Sequence, residues 1–192
     1  MNTGIIASRY ARALLKRVEE TGNGAVVLRQ VQVLGRALNA LPVFRHRVED
    51  GGAVTYSQKM QLFEAALAPS ADGLPPEPMA PELRSFLSLL MRNDRMAEAR
   101  LIFRSFEEAW YRARRLRRGL LRVVKPAPGL EVQLRRLVED RTGCKLLLET
   151  EVDPGLVGGF VFEIGDLLLD ASVRHELDFI RKQFIERNRR IV

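Results

Sequence analysis

Apolar residues recur at three- and four-residue steps through most of the first 118 residues, and this period is typical of one face of an α-helix. The stripes predict six helices, which run through Ile5–Glu20, Val27–Leu41, Val43–Val48, Thr55–Leu67, Pro81–Asn93 and Met96–Leu116. The sixth stripe is the longest, so we expect it to form the longest element. The pattern therefore predicts an N-terminal six-helix bundle.

Start signals support two of these helices. Thr55 and Gln58 have the spacing of a capping box, in which each side chain binds the backbone amide of the other residue. Pro81 suits the first turn of a helix, because the amide that proline lacks has no partner there. The proline-rich segment Pro69–Pro81 is expected to be a loop.

The pattern changes after Gly119. A continuous apolar run, Leu120–Val124, is typical of a buried strand, and a second run, Cys144–Leu148, predicts another. Between them we expect an amphipathic helix that ends at Gly143, since glycine readily adopts the left-handed backbone that closes a helix. The second part of the chain is therefore predicted to mix strands and helices.

The last part of the chain predicts a β-hairpin followed by a helix. Two apolar segments, Phe160–Ile164 and Leu167–Asp170, flank Gly165-Asp166, and a two-residue turn that contains glycine closes a tight hairpin. Ser172 then provides an N-cap for a C-terminal helix. We therefore predict a mainly α fold, in which a small α+β domain with a β-hairpin and a C-terminal helix follows the bundle.

At 192 residues the chain is long enough for two small domains, which we predict at residues 1–118 and 119–192. Hydrophobic residues make up 46% and charged residues 29%, as in ordinary folded proteins. No apolar stretch approaches the roughly 20 residues that a membrane-spanning helix needs. Any membrane association is expected to pass through a partner. The first residues lack the features of a secretory signal, so we expect an intracellular location.

Residues that usually hold metals or act as nucleophiles are scarce. One cysteine, Cys144, and two histidines, His46 and His175, provide no ligand set at the spacing of a zinc site. Because Cys144 lies in an apolar run, we expect a small buried residue rather than a nucleophile. No cofactor and no metal site are expected.

The net charge of +7 favours an acidic partner but does not choose among nucleic acid, anionic lipid and protein. The densest basic run is predicted to lie at the end of the sixth helix and comprises Arg112, Arg114, Arg115, Arg117 and Arg118. Successive arginines on a helix point to several faces, and no aromatic residues alternate with them to stack on bases. We expect a solvated or protein-facing surface. A basic helical nucleic-acid-associated protein is the alternative.

Two motifs that could carry chemistry are better explained as turns. Gly155–Gly159 is rich in glycine, but no lysine followed by serine or threonine comes after it, as a phosphate-binding loop requires. Four acidic residues could suggest acid–base catalysis or a cation site: Asp153, Glu163, Asp166 and Asp170. Asp153 before Pro154, and Asp166 in the hairpin turn, occupy positions where aspartate binds its own backbone. No nucleophile has a base and an orienting partner, so an enzyme is not expected.

Three stretches have the character of family motifs. They are Ile-Ala-Ser-Arg-Tyr-Ala-Arg-Ala-Leu-Leu at residues 6–15, Phe-Leu-Ser-Leu-Leu-Met-Arg-Asn-Asp-Arg at 86–95, and Val-Asp-Pro-Gly-Leu-Val-Gly-Gly-Phe at 152–160. In this order they resemble the delta subunit family of bacterial F-type ATP synthases, relatives of the mitochondrial oligomycin-sensitivity-conferring protein. The third motif and the hairpin after it are similar to the family signature, whose residues here are Asp153, Pro154, Gly158, Gly159, Gly165, Asp166, Asp170, Ser172 and Arg174.

The resemblance implies a groove between the first and fifth helices that receives an amphipathic helix from the start of an alpha subunit. The residues it would place in this groove are Tyr10, Ala13, Leu14, Phe86, Leu87 and Leu90. The same apolar side chains could equally belong to the core of the bundle. If they line the groove, Phe86→Asp or Leu90→Asp separates the head from the stalk and leaves the bundle folded, whereas loss of the fold marks them as core.

The resemblance also implies that residues 119–192 grip the distal end of the b-type peripheral-stalk helices, through the signature region and the last helix. The implied function is that of a non-catalytic stator adaptor of the proton-translocating F-type ATP synthase. Such an adaptor links the alpha/beta catalytic head to the stalk, so that rotation is coupled to ATP synthesis. The implied location is peripheral, on the cytoplasmic face of the bacterial inner membrane, which the subunit reaches only through its partners.

Overall fold

The structure is a computed structural model that describes residues 3–49, 54–68 and 78–189, with side chains described as far as Arg181. Most of the predicted loop Pro69–Pro81 therefore lies outside the described residues. The chain forms two compact units, Met1–Trp110 and Tyr111–Val192. This division lies N-terminal to the predicted one at residues 118 and 119, because the second unit includes the end of a helix and the whole of a strand that begins at Leu116.

The first unit is built from helices in its described residues. The α-helices that begin in the described part of this unit are α1 (Thr3–Thr21), α2 (Gly24–Ala40), α3 (Pro42–Glu49), α4 (Tyr56–Leu67), α5 (Pro81–Arg92) and α6 (Ala99–Ala113). A 3-10 helix at Met96–Glu98 precedes α6. The sequence locates the first five well, because each apolar stripe is bounded by a breaker or a cap.

Both predicted helix starts are confirmed. The Thr55 hydroxyl accepts a hydrogen bond from the Gln58 amide at 3.4 Å, and the Gln58 side chain accepts one from the Thr55 amide at 2.9 Å. This is the expected capping box at the start of α4. Pro81 is the first residue of α5. The capping box gives partners to amides at the start of α4, whereas Pro81 has no amide that would need a partner at the start of α5.

The prediction of one long sixth helix, Met96–Leu116, is wrong at both ends. Its first residues form the 3-10 helix, and α6 ends at Ala113. Arg115 adopts a left-handed φ of 51°, which ends the helical path, and strand β1 (Leu116–Val123) follows at once. The longest helix of the described residues is α1, with 19 residues.

The arginine run consequently changes secondary structure along its length. Arg112 lies in α6, Arg114 and Arg115 form the turn, and Arg117 and Arg118 lie on β1. The predicted position at the end of one helix is therefore wrong. The physical reason is that β1 pairs with a strand on each side, and those hydrogen bonds stabilise an extended backbone. This pairing joins residues far apart in sequence, so a local stripe does not reveal it.

The first unit has a core of buried aromatic side chains and one close approach of two helices. Phe63, Phe103 and Phe106 are fully buried. Gly24, the first residue of α2, lies against the Trp110 ring of α6, and a Cβ on this glycine would be 2.0 Å from the ring. A side chain at residue 24 would therefore separate α2 from α6.

The second unit is a four-stranded sheet with the strand order β2-β1-β3-β4. Its further elements are α7 (Pro128–Thr142), β2 (Lys145–Val152), β3 (Gly159–Ile164), β4 (Leu167–Ser172) and α8 (Val173–Arg189). The strands β1 and β2 are parallel and are joined through α7, whereas β3 pairs antiparallel with both β1 and β4. The chain is thus mainly helical with a small sheet and a C-terminal helix, as the sequence predicts.

Three local predictions in this unit are confirmed. Gly143 follows α7 with a φ of 64°, and Gly165 lies in the hairpin turn between β3 and β4 with a φ of 59°. The Ser172 hydroxyl accepts a hydrogen bond from the His175 amide at 3.2 Å at the start of α8. The strand predicted at Cys144–Leu148 is longer than expected, because pairing with β1 continues to Val152.

The two faces of the sheet differ. One face is covered by α7 and carries the core of the unit, which is Leu121, Val123, Leu134, Val138, Leu146 and Phe162. The other face carries cross-strand ion pairs with nitrogen–oxygen distances from 3.4 to 3.7 Å: Arg118–Glu149, Arg122–Glu151 and Arg122–Glu163. Alternation along each strand separates these two sets of side chains.

Candidate partner-binding surfaces

Tyr10 connects α1 to α5. Its ring meets the Phe86 ring edge to face, with 6.4 Å between the ring centroids. Its hydroxyl accepts a hydrogen bond of 2.9 Å from the side-chain amide of Asn93, directly after α5. Because Tyr10 is held at two points by the neighbouring helix, its exposed part has a fixed position.

The predicted groove residues lie at two depths. Leu14, Phe86, Leu87 and Leu90 belong to the core of the first unit, and Leu90 is 0% exposed. The others are nearer the surface, where Tyr10 is half-buried and Ala13 is exposed. The burial of these four side chains favours the alternative that they belong to the core of the bundle and do not line an open groove. We therefore expect Leu90→Asp to destabilise the bundle rather than to leave it folded.

Leu89 is a surface residue that the sequence reasoning missed. Its side chain is 43% exposed. On a helix, residues three and four positions apart are neighbours, so Leu89 lies between Phe86 and Asn93, the two α5-side residues that Tyr10 contacts. The signal in the sequence was an apolar residue outside the main stripe of an amphipathic helix. We call Tyr10, Ala13, Leu89 and Asn93 the α1–α5 surface.

Polar contacts fix the start of α5. The Gln30 side chain, which is buried, donates to the Pro78 carbonyl at 3.0 Å and accepts from the Ala80 amide at 2.9 Å. Glu82 in the first turn of α5 accepts a hydrogen bond of 2.9 Å from the side chain of Asn23, between α1 and α2. These bonds hold the position of α5 relative to α1 and α2.

The pKa of Glu82 is lowered from its ordinary value. The main cause is the hydrogen bond from its own backbone, followed by the bond from Asn23, and burial acts in the opposite direction. The folded state therefore favours the charged carboxylate, which also suits the positive end of the helix dipole.

The signature residues form a turn at the end of β2. The Asp153 carboxylate accepts a hydrogen bond from the Gly155 amide at 2.8 Å, and the Asp153 carbonyl accepts one from the Leu156 amide at 3.1 Å. Pro154 lies inside this turn. The role predicted for Asp153 as a turn residue is confirmed.

Two signature glycines allow the start of β3 to lie close to the end of β4 and the start of α8. A Cβ on Gly159 would be 2.1 Å from the carbonyl oxygen of Ala171, and the φ of Gly159 is 77°. A Cβ on Gly158 would be 2.9 Å from the Val173 side chain. Only glycine fits at residue 159 without a shift of backbone.

The remaining signature residues join the turn to α8. Arg174 donates to the Gly155 carbonyl at 3.1 Å, and the Asp170 carboxylate accepts from the Ser172 amide at 2.9 Å. Hydrogen bonds from the side chain and the backbone of Ser172 lower the pKa of Asp170. The polar groups of the signature are thus used within the chain, where they determine how α8 leaves the sheet.

The last helix shows an apolar stripe to solvent. Val173, Leu177 and Ile180 follow one another at three- and four-residue steps along α8, and all three side chains are exposed. On the edge strand β4, Leu167 and Leu168 are also exposed, and because successive strand residues alternate they point to opposite faces of the sheet. A series of exposed apolar residues along one helix is typical of a surface for a partner. Nothing among the described residues covers this stripe.

Neither a metal centre nor a membrane span is found in the part of the chain that the structure describes. No group of three His, Cys, Asp or Glu side chains in residues 3–49, 54–68 and 78–181 could hold a metal ion. None of the described helices has the length and hydropathy needed to cross a bilayer. Cys144 is half-buried and has no assigned role.

The family model described as ATP synthase delta (OSCP) subunit matches residues 6–184. The chain belongs to this family. It is therefore a non-catalytic structural subunit of the F-type ATP synthase, with the adaptor role of a stator component. The comparisons give no support to the nucleic-acid-associated alternative.

Curated relatives agree with this assignment. The chain is similar to ATP synthase subunit delta of Phocaeicola vulgatus, with 30% identity over 193 residues and coverage of 100% of both chains. It is 31% identical to ATP synthase subunit delta of Myxococcus xanthus over 186 residues, or 95% of this chain and 97% of the relative. With the same subunit of Anaeromyxobacter dehalogenans the identity is 32% over 189 residues, and the coverage is 95% and 98%.

A solved structure shares the fold. The chain is similar to one in the cryo-EM structure of the Toxoplasma gondii mitochondrial ATP synthase hexamer, with a TM-score of 0.63 and 21% identity. The match covers 93% of this chain and 97% of that one. At this identity the likeness concerns the fold alone.

Proposed function

We propose that the two units of this delta-family subunit bind different partners of the stator joint. The first unit, predicted as a six-helix bundle over residues 1–118, binds an N-terminal helix of an alpha subunit. The second unit, predicted over residues 119–192, binds the distal end of the b-type stalk. Torque on the rotor would turn the catalytic head unless such a joint held it, so the joint must not dissociate during turnover.

The observation that carries the head-binding proposal is the α1–α5 surface. Leu89 is exposed between two residues that hold Tyr10, and Ala13 lies one helical turn after Tyr10. An exposed leucine beside a fixed aromatic ring and a small residue suits the apolar face of an amphipathic helix. The buried residues Leu14, Phe86, Leu87 and Leu90 act here by supporting the two helices rather than by contact.

The stalk-binding proposal is supported by the exposed stripe of α8. The signature residues fix the start of this helix through Arg174, Asp170 and Ser172. A helix that is held at its start and leaves Leu177 and Ile180 exposed can pack against a stalk helix. The signature thus acts indirectly, because it orients the helix that makes the contact.

The affinity that this joint needs is within reach of such surfaces. A nanomolar dissociation constant corresponds to about 12 kcal/mol. A few anchoring side chains usually supply most of the binding energy of an interface. The subunit then acts on the cytoplasmic face of a bacterial inner membrane, reaching it only through its partners, and this location is supported by the bacterial delta subunits among its relatives.

The test of head binding is a calorimetric titration of the full chain with the N-terminal peptide of the cognate alpha subunit at two salt concentrations. We expect one-to-one binding that persists at high salt, because apolar contacts are not screened. Leu89→Asp should weaken binding at least tenfold. Leu101→Asp, which changes a similarly exposed leucine of α6, is the matched control and should bind like the wild type.

Two outcomes would contradict the proposal. A folded chain that binds no alpha peptide would remove the head-binding role. Equal loss of binding in the Leu89 and Leu101 variants would show a general effect of added negative charge rather than contact at the α1–α5 surface.

A further inference from the structure

An open cleft of about 400 Å³ lies on the helix-covered face of the sheet in the second unit. Its walls come from the last turns of α7, the start of β1 and the β3–β4 hairpin. The apolar lining includes Leu137, Val138, Ile164 and Leu167, and two arginines, Arg117 and Arg141, also line it. The cleft and the signature turn lie at opposite ends of the β1–β3 pair. Ile164, which lines the cleft, pairs with Gly119, whereas Phe160, which follows the signature turn, pairs with Val123.

The cleft exists because α7 covers only part of this face. Helix α7 packs mainly against β2, and its side chain Leu137 is 51% exposed towards the uncovered strands. Ile164 and Leu167 are direct partners in the hairpin, and Leu169 points to the same face two residues further along β4. The apolar wall therefore extends beyond the cleft along the edge strand, which suits an elongated occupant.

The charges of the cleft differ from those of the opposite face. On the opposite face, Arg118 and Arg122 are neutralised by cross-strand glutamates. Arg117 alternates with Arg118 along β1 and so points to the cleft side. Within the described residues, the guanidinium groups of Arg117 and Arg141 form neither a hydrogen bond nor an ion pair. Two unpaired guanidinium groups beside an apolar wall are complementary to a carboxylate that is carried on an apolar segment.

We propose that this cleft is a second contact site for the b-type stalk, which binds a helix whose apolar face carries an acidic side chain or a terminal carboxylate. Leu137, Ile164 and Leu167 contact the apolar side chains of that helix, and Arg117 and Arg141 bind its carboxylate. The proposal rests on the proposed function and adds to it. Stalk contacts then occur at two places in the second unit, the exposed stripe of α8 and the cleft.

The experiment is a calorimetric titration of the full chain with the soluble segment of the cognate b-type subunit at low and at physiological salt. The double variant Arg117→Gln/Arg141→Gln should bind at least tenfold more weakly than the wild type and with a smaller dependence on salt. The matched control is Arg118→Gln/Arg122→Gln. It removes the same number of positive charges from the same unit, but on the other face of the sheet, and should bind like the wild type.

A second measurement identifies the carboxylate. Each Asp and Glu of the stalk segment is replaced by its amide, and the segment is also prepared with an amidated C-terminus. One of these changes should weaken binding to the wild-type chain and have no effect on the Arg117→Gln/Arg141→Gln chain, since both changes remove the same pair. If no change behaves in this way, the arginines do not bind a carboxylate of the stalk.

The outcomes separate this proposal from the proposed function. If the wild type and both double variants bind the stalk segment equally, the cleft proposal is overturned and the stalk joint stands. If the wild type does not bind the segment, both are overturned. If the cleft variant binds the stalk normally but loses binding to phosphatidylglycerol vesicles that the wild type shows, the cleft is a lipid site and the proposal is wrong.

Discussion

The two units of this subunit bury their apolar residues to different degrees. In the first unit the main apolar stripes close on one another, and the α1–α5 surface offers a single exposed leucine beside Tyr10. In the second unit, β4 and α8 leave a series of large apolar side chains exposed. From this difference we expect the first unit to be stable by its own core and the second unit to complete its packing against a partner.

The strongest test of the first unit compares two neighbouring leucines of α5. Leu90→Asp places an unpaired charge in the core and should lower the free energy of unfolding by about 4 kcal/mol or more. Leu89→Asp places the same charge at the surface and should change the free energy of unfolding by about 0.5 kcal/mol or less. Thermal unfolding followed by circular dichroism measures both.

The opposite result would contradict the expected difference between the two units. If Leu90→Asp were as stable as the wild type and only lost binding to the alpha peptide, the side chain would belong to an open groove. The first unit would then depend on a partner in the same way as the second.

Gly159→Ala tests whether the close backbone contact between Gly159 and Ala171 stabilises the second unit. The added Cβ would overlap the Ala171 carbonyl, and the residue would keep a positive φ, so we expect a loss of about 3 kcal/mol in the free energy of unfolding. Gly129→Ala is the matched control, because Gly129 lies in α7 with no atom within 4 Å of the added Cβ. Urea unfolding of the full chain measures both variants. A neutral effect of Gly159→Ala would show that this close approach is not required.

The exposed stripe of α8 should affect binding and not stability. Leu177→Asp/Ile180→Asp should leave the free energy of unfolding within about 0.5 kcal/mol of the wild type, because both side chains are already exposed. Binding of the b-type segment should weaken at least tenfold in calorimetry. Unfolding of the variant at a much lower temperature would instead show that the stripe packs within the chain.

The smallest effect is expected from Glu82→Gln in the first unit. Because the pKa of Glu82 is lowered in the folded state, its charged form contributes stability above its unfolded pKa, and this contribution is lost as the pH falls through the folded pKa. The wild type should therefore be more stable than the variant near neutral pH, and the two should converge in acid. Urea unfolding between about pH 7 and pH 3 measures this, since glutamate ordinarily titrates near pH 4.3. A difference that does not depend on pH would show that charge at Glu82 does not contribute.

Much of the fold could be predicted because its signals are local. Thr55 with Gln58, Pro81, Gly143 and Gly165 each set a helix start, a helix end or a turn through bonds within a few residues of sequence. The end of α6 could not be predicted, since it depends on the pairing of β1 with strands from later in the chain. The family resemblance was recognised from short motifs, and it agrees with a relative that is 30% identical over the whole chain.

The sequence by itself determined the mainly helical class, the hairpin, the N-cap of the last helix and the family. It also identified α1 and α5 as neighbours through the resemblance, but not which of their side chains reach the surface. Only the tertiary structure separated Leu90 from Leu89, and only the packing of α7 left the arginine-lined cleft open. The physical reason is that hydrophobic periodicity records which residues avoid water, whereas burial depends on which elements of the chain are present to cover them.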